Sequence, residues 1–322
     1  MSVISIAGAG PAGSSAAIAA RLSGAEVHLY DPARFPRHKV CGEFLSPGAP
    51  ALLERLGVWD RILALGPARQ TRLGVHFPRT RKQCRLPEMG WGVSRYALDR
   101  ILLERALELG AVFHSERATA PTIVATGRHP SSATRPRLFG FKAHFSGPLS
   151  DSVDLYFSSR TYVGVNVVEN GVTNVCGLAP EDVLARSHFD PDPLLSTDSL
   201  RARLRNHHRL MDWLITGPIV CDSRTRVCSP LVAGDALSFV DPFTGTGILN
   251  AILTGWLAGS ASARGLSPES YEKACSSALE LCFQSAALIR SALASGWAEF
   301  LLPFVPGSLL VRATRPKIRL NQ

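Results

Sequence analysis

At the start of the chain a short apolar run, Val3–Ala7, meets a glycine-rich turn; an Ala-rich stretch follows over Pro11–Leu22, then a second apolar run, Glu26–Tyr30. The pattern predicts strand, helix, strand, with both strands apolar as parallel strands buried on two faces are. Short helices are expected over 49–56 and 60–65, and strands over 71–77 and 82–86. Between 96 and 109, Leu98, Ile101, Leu102, Ala106 and Leu109 recur at helical spacing, and Gly110 supplies the stop. Further short strands are expected at 111–114 and 122–125.

From about residue 137 the pattern becomes aromatic and β-branched, in runs at 138–145, 153–157, 162–168 and 172–178. The Glu169-Asn170-Gly171 turn between two of them is a hairpin signal. These runs predict an antiparallel sheet. Residues 180–215 read as helical, 219–221 and 227–233 as strands, and 248–263 and 268–295 as long helices. The expected class is α/β (α+β): a Rossmann-like unit with a parallel sheet, an antiparallel sheet, and C-terminal helices. The division follows as 1–135 with 217–265 for a discontinuous dinucleotide-binding domain, 136–216 for a substrate domain, and 266–322 for a helical segment.

Composition agrees with a folded chain. Of 322 residues, 46% are hydrophobic and 19% charged, which supports a sizeable core. The net charge of +9 is spread mostly over scattered arginines. No long basic run with interleaved aromatics occurs, so nucleic acid is not an expected partner. Seven cysteines, an odd number with no C-x-x-C spacing, argue against a disulfide framework or a zinc site and for a reducing cytoplasm. The first basic residue is Arg21, so a secretory leader is not expected. The apolar stretch 300–311 is broken by Pro303 and Pro306 and is too short to span a bilayer. Between Trp297 and Arg319, apolar residues are followed by Arg312, Arg315, Lys317 and Arg319. This segment fits a peripheral contact with an anionic membrane or a core-packing helix with a solvated tail.

The chemistry rests on two glycine-rich segments. Gly8-Ala9-Gly10-Pro11-Ala12-Gly13 sits between strand and helix, with Asp31 at the end of the next strand. The first glycine allows the tight turn, the second admits a pyrophosphate, and the third lets helix and strand pack closely. The helix start presents free N–H groups to phosphate, and Asp31 accepts from ribose hydroxyls. Much later come Gly234-Asp235 and then Asp241-Pro242-Phe243-Thr244-Gly245-Thr246-Gly247-Ile248, opening another helix. Asp235 suits a ribityl chain, and amides around Gly245, Gly247 and Ile248 suit the flavin edge that gathers negative charge on reduction. Two such helix starts suit one long ligand, FAD.

The paired motifs resemble the p-hydroxybenzoate-hydroxylase-type flavoproteins, a superfamily of aromatic hydroxylases, flavin halogenases and geranylgeranyl reductases. Cys41-Gly42-Glu43 followed by Ser46-Pro47 is similar to the geranylgeranyl-reductase branch, and Val93-Ser94-Arg95 with Asp99-Arg100 matches the superfamily. The resemblance implies that Arg95 contacts the ribityl-phosphate region, with Arg37, Gly127 and Pro242 also among the FAD-binding residues. It places Cys41 and Glu43 beside the flavin as catalytic candidates, Glu43 delivering a proton after hydride transfer. The structural alternative pairs Glu43 with Arg37 or Lys39 and leaves Cys41 as packing. Lys142 and His144 alternate with apolar neighbours, and Tyr162 shares a strand face with Asn166; each pair lines a substrate pocket or faces water.

Two departures bear on the electron donor. Thr126 precedes Gly127 where the family places an acid, and the link from Val112 to Thr122 is too short for the family's β-meander. The donor is therefore left open between reduced nicotinamide (NADPH) and a redox partner protein. The halogenase W-x-W-x-x-P signature is absent. The expected function is an FAD-dependent oxidoreductase passing hydride to a C=C bond of a hydrophobic small molecule. The rivals are a monooxygenase of an aromatic or polyketide-like ring, a halogenase, and a flavin-binding protein without turnover. The expected location is cytoplasmic or membrane-peripheral.

Overall fold

The computed structural model describes residues 3–127, 137–158, 160–219, 229–239, 241–306 and 316. The N-terminal part runs β1 (Val3–Ala7), α1 (Pro11–Leu22), β2 (Glu26–Tyr30), β3 (Phe44–Leu45), α2 (Ala49–Arg55), α3 (Trp59–Ala64), β4 (Ala68–His76) and β5 (Arg81–Gly92). Then come α4 (Arg95–Glu108), β6 (Val112–His114), β7 (Ile123–Val124), β8 (Leu138–Ser146), β9 (Ser152–Ser158), β10 (Thr161–Val167) and β11 (Thr173–Pro180). The remainder is α5 (Glu181–Ala185), α6 (Asp198–Leu204), β12 (His208–Arg209), β13 (Leu214–Ile219), β14 (Leu231–Val232), α7 (Gly247–Ala263), α8 (Pro268–Ala294) and α9 (Trp297–Leu301).

Two sheets organise the molecule. The first has five parallel strands in the order β14-β7-β1-β2-β6. Helix α1 covers β1 and β2 and packs between the sheet and α7, where Gly255 and Gly259 meet the backbone of Ala12 and Ala16. Pro11 opens α1, where its missing N–H costs nothing. Ser94 caps α4 by accepting from the Ala97 amide at 3.1 Å. One apolar core joins this sheet to α1, α2, α4, α7 and α8.

The second sheet runs β12-β8-β11-β10-β9-β4-β5-β3, with β13 also on β8. It is antiparallel except where β4 pairs parallel with β9. The boundary expected at 135–136 therefore does not separate the sheets, because β3, β4 and β5 extend the second one. At the β10–β11 hairpin, Asn170 and Gly171 take φ of 58° and 69°, the left-handed pair that the Asn-Gly turn supplies. A smaller core lies against this sheet, built from Phe141, Val165, Val175, Leu184 and Leu200.

The helical reading of 180–215 holds only in part. α5 and α6 are there, but β12 and the start of β13 fall in the same stretch. In β13 burial alternates along Leu214–Ile219, a period-two pattern answering the pleat of β8. The strand expected at 219–221 is the end of β13 at Ile219, with 220–221 outside the described residues; the one at 227–233 reduces to β14, with 227–228 likewise outside. No strand occurs between β6 and β7, so the short link stays irregular. No helix among the described residues is long and apolar enough to cross a membrane. The cations Arg312, Arg315, Lys317 and Arg319 lie outside the described residues.

Candidate functional site

The C-terminal ends of the parallel strands meet one face of the second sheet around a cavity of about 770 Å³. Ligands in open α/β sheets bind at such strand ends. Gly10, Asp31, Ala125, Thr126, Gly127, Gly234 and Asp235 all line it from the first sheet.

The first glycine motif divides by role. A Cβ on Gly8 would lie 2.3 Å from the Ala125 carbonyl oxygen, and one on Gly13 would lie 1.7 Å from that of Gly8. Both glycines are demanded by packing of α1 on β1 and β7. Gly10 is different: only Arg95 Nη2, at 3.7 Å, would approach its Cβ, and the space above it is cavity. Asp31 is fixed beside it, Oδ2 accepting from Ala9 N at 3.0 Å and from Arg37 Nη2 at 3.2 Å, Oδ1 from Ala33 N at 2.9 Å.

Two arginines give this end its charge. Arg37 salt-bridges Asp31, and its buried Nε has no hydrogen-bond partner among the described residues. Arg95 forks onto Asp99 at 2.6 and 2.7 Å. Burial disfavours the Arg95 charge, but Asp99 outweighs it and raises the pKa, so the guanidinium stays cationic. A cradle open at Gly10, an unsatisfied guanidinium N–H and a free helix start make a donor set for an anion.

The far end is built by the second glycine segment. Asp235 sits in a short 3-10 turn, Gly234–Ala236, after β14, and Gly245 takes a left-handed φ of 68° before α7. Gly247 opens α7, and a Cβ there would meet no atom within 4 Å, so that helix start faces open space in the cavity. Pro242 and Ile248 line the same region, and Asp241 is anchored by Arg290 at 2.8 Å. The two helix starts, far apart in sequence, share one cavity. The residues fit FAD at both ends.

Between them lies the Cys41-Gly42-Glu43 loop. Cys41 lines the cavity and is half-buried. Glu43 has a left-handed φ of 52° and a fully buried side chain. Its Oε1 accepts from Lys142 Nζ and from Arg95 N at 2.7 Å, while Oε2 is hydrogen-bonded to His144 Nε2 at 2.6 Å. Burial alone would raise its pKa, but the His144 hydrogen bond and the Lys142 charge outweigh that and hold the carboxyl below its ordinary value. The pairing of Glu43 with Arg37 or Lys39 expected from sequence is thus replaced by Lys142 and His144.

Lys142 and His144 are both buried, so neither faces water; neither is among the residues lining the cavity, because Glu43 takes their polar ends. Tyr162 and Asn166 do line it. Strand register explains the grouping: Lys142 pairs with Cys176 and His144 with Asn174, and Asn174 in turn pairs with Asn166. Asn174 donates to the Cys41 carbonyl at 3.2 Å and Asn166 to that of Glu43 at 3.5 Å, so the second sheet holds the loop by its backbone.

Sequence reasoning missed Asn174, Cys176 and Glu169. Asn174 and Cys176 follow period two along β11, the signal that pointed to Tyr162 and Asn166 on β10. The Cys176 thiol is pushed up to about 12, by burial first and then by Cys41 and Glu43. Glu169, in the hairpin turn, accepts from Ser94 N at 2.7 Å and from the Ser94 hydroxyl, so the second sheet also holds the start of α4.

Beyond the loop the cavity becomes apolar. Leu73, Val75, Leu155, Phe157, Phe243 and Leu293 line this limb, which reaches α8 and α9.

Comparison with known proteins agrees with this geometry. Residues 1–133 match the family model described as an FAD binding domain. The menaquinone reductase of Mycolicibacterium smegmatis is 53% identical over 53 residues, 16% of this chain and 13% of that protein. That of Mycobacterium tuberculosis is 38% identical over 110 residues, 33% of this chain and 27% of that protein. The chain thus matches at most 27% of the length of these relatives. Across the whole chain, the flavin-dependent brominase Bmp2 superposes with a TM-score of 0.77 at 18% identity, covering 94% of this chain and 89% of that one. The tetrameric form of 2-methyl-3-hydroxypyridine-5-carboxylic acid oxygenase superposes with a TM-score of 0.70 at 18% identity, covering 96% of each chain. The fold is the FAD-binding Rossmann-like fold with an added sheet, and FAD is the cofactor.

Proposed function

We propose that the chain is an FAD-dependent oxidoreductase acting on a hydrophobic small molecule, with an oxygen-using, monooxygenase-type reaction as the first reading. The observation that carries it is the single cavity running from Gly10 and Asp31, past Gly245 and Gly247, into an apolar limb. The broader flavoprotein reading is supported by the FAD-binding match, and the oxygen-using one by the oxygenase and brominase that share the fold.

When bound, FAD carries the electrons of the reaction. The protein's own residues hold and shape the site. Arg37, Arg95 and the α1 start bind the phosphates, and Asp31 the ribose. The Gly247 and Ile248 amides, at the positive end of α7, favour negative charge on the flavin ring. Glu43 is a positioning residue: ionised and spoken for by Lys142, His144 and the Arg95 amide, it fixes the loop that carries Cys41 and has no proton to deliver. Leu155, Phe157 and Phe243 exclude water from the substrate limb.

A second reading, reduction of a C=C bond in the manner first suggested by Cys41-Gly42-Glu43, is favoured by the menaquinone reductases matched in sequence and by the apolar limb. The test begins with the absorption spectrum of the purified protein. Flavin bands that bleach on anaerobic NADPH support a nicotinamide donor despite Thr126; bands that bleach only with dithionite support a redox partner. Oxygen consumed in step with product supports the monooxygenase, and product formed faster without oxygen supports the reductase. A protein colourless even after reconstitution with FAD would sink both, and a yellow protein that turns over no apolar substrate would leave only the flavin-binding reading.

A further inference from the structure

We infer that the α8–α9 corner docks on an anionic lipid surface and opens the apolar limb of the cavity onto it, so that the substrate enters from the lipid phase. This rests on the apolar-substrate reading above.

The apolar limb does not end inside the protein. Leu288 on α8 and Leu301 on α9 line the cavity, yet they are 72% and 43% exposed, so they stand at its mouth. Around that mouth, large apolar side chains face water: Trp297 is 60% exposed, Phe300 66% and Phe304 76%. Trp297 meets Phe300 edge to face and Phe300 meets Phe304 at a tilt, with ring centroids 6.0 and 6.5 Å apart, and the three form a ridge. Single exposed apolar residues are ordinary, but a contiguous aromatic ridge at the mouth of an apolar cavity marks an interaction site. Trp and Phe beside cations is the composition of an interfacial membrane contact.

The cations are fastened to this ridge. Lys82 on β5 donates through Nζ to the carbonyls of Leu302 at 3.2 Å, Pro303 at 3.0 Å and Val305 at 2.6 Å. The Arg79 amide donates to Glu299 Oε1 at 2.7 Å. These contacts set the β4–β5 turn against α9, and the turn presents Arg79 and Arg81, both exposed and without an ion pair among the described residues. Glu299, the nearby carboxylate, is turned toward the Arg79 backbone. Cations and aromatics thus share one edge, complementary to anionic headgroups above an acyl layer.

The test is cosedimentation of the FAD-loaded protein with phosphatidylglycerol vesicles and with phosphatidylcholine vesicles. Binding is expected to the first and to fall with added salt. Arg79→Gln with Arg81→Gln should lower the partition coefficient roughly tenfold or more. Phe300→Glu with Phe304→Glu should remove binding; neither residue lines the cavity, so flavin content and spectrum should stay those of the parent. Acyl-brominated lipid should quench tryptophan fluorescence, and Trp297→Phe should abolish that quenching. No partition at low salt, or partition unchanged in both double variants, would overturn the inference. So would a dimer in sedimentation that Phe300→Glu with Phe304→Glu dissociates without any vesicle binding. Failure here is separable from failure of the apolar-substrate reading, which is measured with detergent-dispersed substrate and no vesicles.

Discussion

Three glycines of one motif have different tolerances, and the difference is measurable. Gly13→Ala would place a methyl against the Gly8 carbonyl within α1's first turn, where backbone must move to admit it. Gly10→Ala meets only Arg95 Nη2, and Gly10 has an ordinary φ of −74°. We expect Gly10→Ala to fold with an unchanged urea midpoint but to bind FAD at least tenfold more weakly, by fluorescence titration. Gly13→Ala should lose stability as well as FAD. A thiol contrast follows the same logic. Cys176, with its thiol pushed up to about 12 by burial, stays protonated and should resist iodoacetamide at pH 8 in the native protein. Mass spectrometry should find it labelled only after unfolding. The glycine motif and Asp31 were legible in sequence because their spacing is local. The partners of Glu43 were not, because Lys142 and His144 reach it only once β8 has packed across the loop, and sequence separation hides that.

At the scale of elements, the parallel strands and their helices were legible because period and punctuation agree: Pro11 starts α1, Gly110 follows α4, and Asn170-Gly171 turns β10 into β11. The strand residues within 208–215 were misread as helix because β13 is a strand only in company with β8, and its own composition, with Gly217 and Pro218, carries little strand preference. The α1–α7 contact was also hidden. Gly255 and Gly259 lie four residues apart on α7, and a Cβ on either would come within 2.1 Å of the Ala12 or Ala16 carbonyl oxygen of α1. Alanine at either position must push the helices apart, at a cost of about 1–3 kcal/mol. Gly255 sits against the first turn of α1, which borders the cavity, while Gly259 sits a turn deeper. Gly255→Ala is therefore expected to weaken FAD binding as well as lower the urea midpoint, and Gly259→Ala mainly to lower the midpoint.

Across the whole molecule, two buried carboxylates join the second sheet to α4. Glu169 leaves the β10–β11 turn to hold Ser94, and Glu43 leaves the loop before β3 to hold the Arg95 amide, Lys142 and His144. Both sheets are thereby locked around one cavity, and the lock depends on charge. Glu43 has a folded-state pKa below its ordinary 4.5, so it binds its proton more readily in the unfolded chain. The stability it contributes is full above that ordinary value and is lost as pH falls through the folded one. Urea midpoints of the wild type should therefore drop on the acid side of about pH 4.5, and the drop should be shallower in Glu43→Gln, which has no carboxylate to protonate. At neutral pH the same substitution strands the fully buried Lys142 ammonium and should cost roughly 3–5 kcal/mol. Adding Lys142→Met to Glu43→Gln removes the stranded charge and should recover most of that loss. If the double variant recovers stability but the FAD spectrum shifts or the cofactor is lost, Glu43 acts as a charge that orders the Cys41 loop. If spectrum and affinity also return, the pair is a clamp between the two sheets and no more.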